Sequence, residues 1–213
     1  MTFVRDHRFL CMIALIFFAL SVLVTQGMTV PLDEFGVLMV RGQSNAEDFL
    51  TSLVSNLTHL GDSVTLAIVA ALTVGILVWR QQKLAAYWFL LAASGSFVIT
   101  AISKWMFGRE RPDIVEQFAT ATSGSFPSGH TLRSAVIYAL LAYVFARTRS
   151  SSNNMIIYGV AVAVIFANGL SRVYLGVHWP TDVLGAWLIA GFWLMLCKNG
   201  YDRSCARRDA QDL

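Results

Sequence analysis

An all-α polytopic membrane protein, with six transmembrane helices and an amphipathic segment between the first two, is the fold class this sequence predicts. Three observations carry that expectation. Of 213 residues, 56% are hydrophobic and only 14% charged, and the mean hydropathy is +0.59, a membrane composition rather than a water-soluble one. The apolar residues gather into six runs, each near the ~20 residues a bilayer needs. The basic residues fall mainly in the connections between runs, in a split that assigns the connections to two faces.

The spans are expected at 9–27, 63–79, 84–107, 131–145, 155–175 and 181–197. The first run follows Arg5 and Arg8, so it reads either as a span or as a cleaved signal peptide. It is long for a signal core, and no clean small-x-small site follows it. Between the first two spans, Phe49, Leu50, Leu53, Val54, Leu57 and Leu60 recur at helical spacing with Ser, Thr and Asn between them. That pattern predicts an amphipathic helix on the membrane surface or over the bundle, with a structured loop as the alternative. The fourth run is the weakest, because Arg133 intrudes near its start. One domain, 1–213, is expected: a first span and external segment (1–62), a core (63–198) and a basic tail (199–213).

Placing the amino terminus inside puts Arg5, Arg8, Arg80, Lys83, Arg147, Arg149, Lys198, Arg203, Arg207 and Arg208 on the inner face. Arg41, Lys104, Arg109, Arg111, Arg133 and Arg172 fall outside. The positive-inside rule favours this orientation, with both termini cytoplasmic. Cys11 and Cys197 sit in apolar runs and Cys205 in the basic tail, which suggests neither a disulfide framework nor a zinc site. No basic–aromatic pattern points to nucleic acid. The oligomeric state is not legible.

Three polar blocks stand at span ends. The first is Lys104-Trp105-Met106-Phe107-Gly108-Arg109-Glu110-Arg111-Pro112. Lys104 and Arg111 are seven apart, so a helix would present both on one face, and Pro112 would end or kink it. Two cations together at a membrane edge suit an anion. The second block is Pro127-Ser128-Gly129-His130, just before the fourth run. Ser128 suits an N-cap, Gly129 permits close backbone approach, and a helix start favours phosphate. His130 would lie in the first turn. The third block runs from Ser171-Arg172 through His178 to Asp182. A buried Arg172 requires a partner. Gly176 is placed to end one helix and Pro180 to start the next. Asp182 follows His178 by four residues and can hold one ring nitrogen, leaving the other free to attack. Arg133 either meets a second phosphate or pairs with Asp113 or Glu116.

These blocks together resemble the signature of the type 2 phosphatidic acid phosphatase superfamily, over about the last two-thirds of the chain. The first ~60 residues carry no such signature. The resemblance implies a six-helix membrane lipid phosphatase with its site at the membrane surface. It implies His178 as the nucleophile that forms a phosphohistidine, Asp182 as its orienter, and His130 as the acid that protonates the leaving oxygen. Lys104, Arg111 and Arg172, with Ser128 and Gly129, would hold the phosphate. No cofactor is implied, and no metal: the blocks contain no carboxylate cluster to hold one. The expected partner is a lipid phosphate within the bilayer, with undecaprenyl diphosphate and phosphatidylglycerol phosphate as first candidates, in a bacterial inner membrane with the site extracytoplasmic. Lipid A phosphatases and phosphotransferases share the pattern. So do vanadate-dependent haloperoxidases, which are soluble. A non-catalytic lipid-binding or transport protein is the alternative of a different class.

Overall fold

The computed structural model describes residues 2–42, 44, 48–147 and 154–211, with side chains from residue 7 to 210. The side chain of Arg5 and all of Arg149, both assigned to the inner face, lie outside the described residues. Among the described residues, eight helices follow one another: α1 (Thr2–Thr25), α2 (Val30–Arg41), α3 (Phe49–Thr58), α4 (Ser63–Trp79), α5 (Lys83–Phe107), α6 (Gly129–Arg147), α7 (Asn154–Tyr174) and α8 (Pro180–Gln211). A single 3-10 turn, His59–Gly61, joins α3 to α4. Five of these helices are long and apolar enough to cross a bilayer, and α3 with α4, bent by 46° at their junction, qualifies as a sixth. The expected six-span membrane fold is therefore present.

Small residues set the packing. Ala86, Ala92 and Ala93 of α5, Ala135 of α6, and Ala186 and Ala190 of α8 are all buried where these helices meet. Inside a bilayer such residues let backbones approach and gain dispersion contacts, because lipid offers no hydrophobic drive between helices. α1 runs against α8 as part of the bundle, with Leu10, Ile13 and Val24 buried and Phe17 stacked on Phe126.

The stretch before α4 contains the expected amphipathic helix. Most apolar residues of α3 point outward: Phe49, Leu50, Leu53 and Leu57 are exposed, whereas Thr51 and Thr58 are buried and Val54 packs against the cluster of Tyr174, Leu175 and Val177. The reason is that the bundle end it covers is polar. Thr51 meets the Tyr174 hydroxyl at 2.9 Å, and Thr58 accepts a hydrogen bond from Ser171. The apolar side is left for lipid. α2 is fastened by Arg41, which donates to the carbonyls of Tyr174 and Glu116 and lies 3.5 Å over the Phe118 ring. α8 also exceeds its expected span, because the basic tail continues as helix through Gln211, with Lys198 paired to Asp202 one turn on.

Candidate active site

The ends of α5 and α7 and the starts of α6 and α8 meet at one end of the bundle, and local chain chemistry explains why. α7 closes on Gly176, whose φ of +71° is the left-handed conformation that favours glycine. The Gly176 N–H bonds the Val173 carbonyl and the Val177 N–H bonds the Arg172 carbonyl, a Schellman closure. The His178 N–H also reaches the Arg172 carbonyl, at 3.2 Å. The turn thus lays His178 back over the end of α7. Pro180 opens α8, and the Asp182 carboxylate reaches back to the Trp179 N–H at 2.9 Å, as an acidic third residue does in a capping box.

Asp182 serves the cap and the histidine with one oxygen. Its Oδ2 also faces His178 Nδ1 at 3.2 Å, both side chains being buried. That leaves His178 Nε2 as the outward nitrogen, 3.3 Å from a guanidinium nitrogen of Arg111. Burial first, then the fields of Arg111, Arg172 and Lys104, hold the His178 imidazole well below the ordinary histidine range. With Nδ1 facing the Asp182 carboxylate, a neutral ring would carry its proton there and its lone pair on Nε2.

The cations reach the site by different routes than the sequence suggested. α5 stops at Phe107 and is closed by Gly108, so Arg111 lies in the following loop and not two helical turns above Lys104. The loop reunites them. Lys104 Nζ donates to the Ser123 hydroxyl at 2.9 Å, and Arg111 Nε donates to the Ser123 carbonyl at 3.0 Å. Arg172 has a hydroxyl as its partner, donating to Thr58 at 3.0 Å, while its buried Nε has no partner among the described residues.

The second block packs tightly. Ser128 is buried, its N–H donates to the Asp182 carbonyl at 3.1 Å, and its hydroxyl accepts from Thr131. A Cβ on Gly129 would stand 2.8 Å from the Thr100 methyl and 3.1 Å from the Arg133 guanidinium, so only glycine allows α6 to sit this close to α5. Arg133 forms no ion pair with Asp113 or Glu116 among the described residues. As a residue of α6's second turn it folds back, donating to the Gly129 carbonyl at 3.0 Å and lying 5.0 Å over Phe97.

Four residues here were not singled out from sequence: Asp62, Arg109, Asp33 and Thr58. His130 Nε2 lies 2.8 Å from Asp62, whose other oxygen meets His59 at 2.7 Å. Arg109 donates to Asp182 at 2.6 Å and to Asp33 at 2.7 Å, both carboxylates being buried. A signal for the acids was present, since an acidic residue beside a membrane span calls for a partner. No spacing rule names that partner. Among the described residues, no three His, Cys, Asp or Glu side chains converge as a metal-binding group. A cavity of ≈ 700 Å³ opens at the other end of the bundle between Lys83, Trp88, Tyr143, Arg147 and Tyr201. It contains none of this chemistry, so the cluster of titratable groups marks the site better than volume does.

Fixed cations around a carboxylate-held imidazole, at the end of a membrane-spanning bundle, suit a phosphate group presented at a bilayer. Residues 83–204 match the PAP2 superfamily, and the chain belongs to it. It is 29% identical over 164 residues to phosphatidylglycerophosphatase B of Bacillus subtilis (strain 168), covering 76% of this chain and 79% of that one. It is 31% identical over 124 residues, 56% of each chain, to undecaprenyl-diphosphatase of Sulfolobus acidocaldarius. The crystal structure of a transmembrane PAP2-type phosphatidylglycerolphosphate phosphatase from Bacillus subtilis superposes with a TM-score of 0.80. That match is 27% identical and covers 92% of this chain and 96% of the other.

Proposed function

We propose that the protein hydrolyses an isoprenoid or glycerolipid phosphate or diphosphate through a phosphohistidine on His178. Undecaprenyl diphosphate and phosphatidylglycerol phosphate are the leading substrates, in keeping with the relatives' names. The observation that carries this reading is the buried Arg172 Nε, without a partner among the described residues, on the same residue whose carbonyl accepts the His178 N–H. A buried guanidinium donor left open beside a neutral imidazole is suited to an anion that is itself attacked there.

In the first step His178 Nε2 bonds to phosphorus as the bond to the leaving oxygen breaks. That oxygen takes a proton from His130. Because His130 Nε2 is held by Asp62, Nδ1 is the nitrogen that delivers it. Asp182 keeps His178 Nδ1–H in place and balances the positive charge that the ring gains. In the second step water attacks the phosphohistidine, His130 takes a proton from that water, and phosphate leaves with His178 restored. Lys104, Arg111 and Arg172, with Ser128, the Gly129 backbone and the start of α6, hold the phosphate oxygens. Arg133, folded back on the Gly129 carbonyl through Nε, is the candidate for meeting a second phosphate through its terminal guanidinium nitrogens. We further infer a bacterial cytoplasmic membrane with the site on its outer face. The support is that Arg80, Lys83, Arg147, Lys198, Arg203, Arg207 and Arg208 lie toward the opposite end of the bundle.

The test is phosphate release from a panel of purified lipid monophosphates and diphosphates, with rapid acid-free quenching to trap a phosphoenzyme. The expected product is a base-stable, acid-labile phosphate on wild type that is missing in His178→Ala. Equal labelling of both would remove His178 as nucleophile.

A further inference from the structure

We propose that Asp33 is a positioning residue for the nucleophilic pair, acting through Arg109 on Asp182 and His178. This rests on the reading of His178 as nucleophile. Asp33 belongs to α2, ahead of the segment that matches the superfamily, and its carboxylate is completely buried. One oxygen accepts the Thr181 N–H at 2.9 Å; the other accepts the Thr181 hydroxyl at 2.7 Å and Arg109 at 2.7 Å. Arg109 turns its other guanidinium nitrogen to Asp182 Oδ1 at 2.6 Å and to the Thr181 hydroxyl at 2.9 Å. A continuous chain therefore runs Asp33–Arg109–Asp182–His178.

Each link has a consequence for the histidine. Asp182 Oδ2 already serves the Trp179 N–H and His178 Nδ1. Rotation about its Cβ–Cγ bond is opposed by what holds Oδ1, chiefly the Arg109 guanidinium. A guanidinium facing Asp182 alone would draw off the negative charge that His178 Nδ1–H needs. Asp33 divides that positive charge between two carboxylates, so the buried group keeps net negative charge for the imidazole. Asp33 also fixes the first turn of α8 through both polar atoms of Thr181, which sets where Asp182 starts. Partners that orient metal-ligating histidines alter activity about 10–100-fold when removed, and the same order is expected for a carboxylate that acts on His178 through Arg109 and Asp182.

The experiment is a double-mutant cycle of Asp33→Asn with Asp182→Asn in the full-length protein in detergent. Competent sites are counted by vanadate binding, and kcat per site is followed on a lipid phosphate and on an aryl phosphate. Asp33→Asn should lower kcat per site about 10–100-fold on both substrates with little change in KM. That loss should largely disappear when Asp182 is already Asn. A role confined to holding helices together predicts fewer competent sites with unchanged kcat per site, or the same fold-loss in both backgrounds. Either result overturns the proposal. Should Asp33→Asn not fold, Arg109→Lys replaces it in the cycle with the same two outcomes, since lysine keeps the charge but not the two-sided fork. Failure of the underlying reading looks different: His178→Ala would still turn over.

Discussion

Arg109 donates to Asp182 at 2.6 Å, so the carboxylate that faces His178 Nδ1 is itself one half of a buried ion pair. With Asp33 on its other side, the guanidinium is the only cation paired to either acid among the described residues. Arg109→Ala should therefore strand two buried carboxylates and destabilise the bundle by about 3–5 kcal/mol, the usual cost of removing one partner of a buried pair. Thermal unfolding in detergent measures this. A shift no larger than that of an exposed control such as Arg203→Ala would mean that the pair contributes little.

His130 and its partner should be separable from His178 by the leaving group. A lipid alkoxide needs a proton to depart, whereas nitrophenolate barely does. General acid catalysis supplies about 10²–10⁴-fold. His130→Ala should lose most of its activity on a lipid monophosphate and much less on an aryl phosphate. Asp62→Asn should show the same bias with a smaller loss, because the ring stays but its carboxylate does not. Equal losses on both substrates for His130→Ala would overturn the acid assignment.

His178 makes stability depend on pH in a defined direction. Burial and the surrounding cations keep its folded form from taking a proton. The unfolded chain takes that proton near pH ~6.5. More protons on the unfolded state mean stability that is present above that pH and lost as pH falls below it. Between pH 7.5 and 5, His178→Ala should lose less stability than wild type, with the difference approaching about 1.4 kcal/mol per pH unit at the acid end. Parallel stability profiles for the two proteins would show that His178 titrates normally in the fold.

The spans and the three motif blocks were legible because each leaves a local mark. Apolar runs of bilayer length, a glycine where α7 must stop and a proline where α8 must start are readable without knowing any partner. Arg172 was expected to have a partner, and it has one, but that partner is Thr58, 114 positions earlier in the chain. The Arg109 link to Asp33 spans 76 positions and the His130 link to Asp62 spans 68. Such contacts follow from how the leading helices fold over the bundle end, which no spacing rule encodes. The choice of face on α3 has the same origin: its periodicity is readable, but the bilayer on one side and a polar bundle end on the other decide which face turns inward.

On the proposed mechanism, in which Lys104, Arg111 and Arg172 meet the phosphate charge, turnover should persist in a chelator. Activity lost in EDTA and restored by magnesium would mean that the mechanism needs a metal. Vanadate should inhibit, since its trigonal-bipyramidal adduct with His178 would resemble the transferring phosphoryl group.

The orientation is testable at the loop that carries Arg111. Ser125 is unsuited to labelling because it is buried and donates to the Glu110 carbonyl. Thr122 is exposed. In a background with Cys11, Cys197 and Cys205 replaced, Thr122→Cys should react with an impermeant thiol reagent added outside intact cells. Reaction only after the membrane is opened would reverse the assigned topology.

Asp33, Thr58 and Asp62 all precede residue 83, where the match to the superfamily begins. Modular exchange between relatives is constrained by this. A transplant joined at residue 83 would bring every signature residue and yet leave Arg109, Arg172 and His130 facing whatever the host's leading helices supply. A workable junction must lie upstream of Asp33, or else carry compensating residues at the three recipient positions.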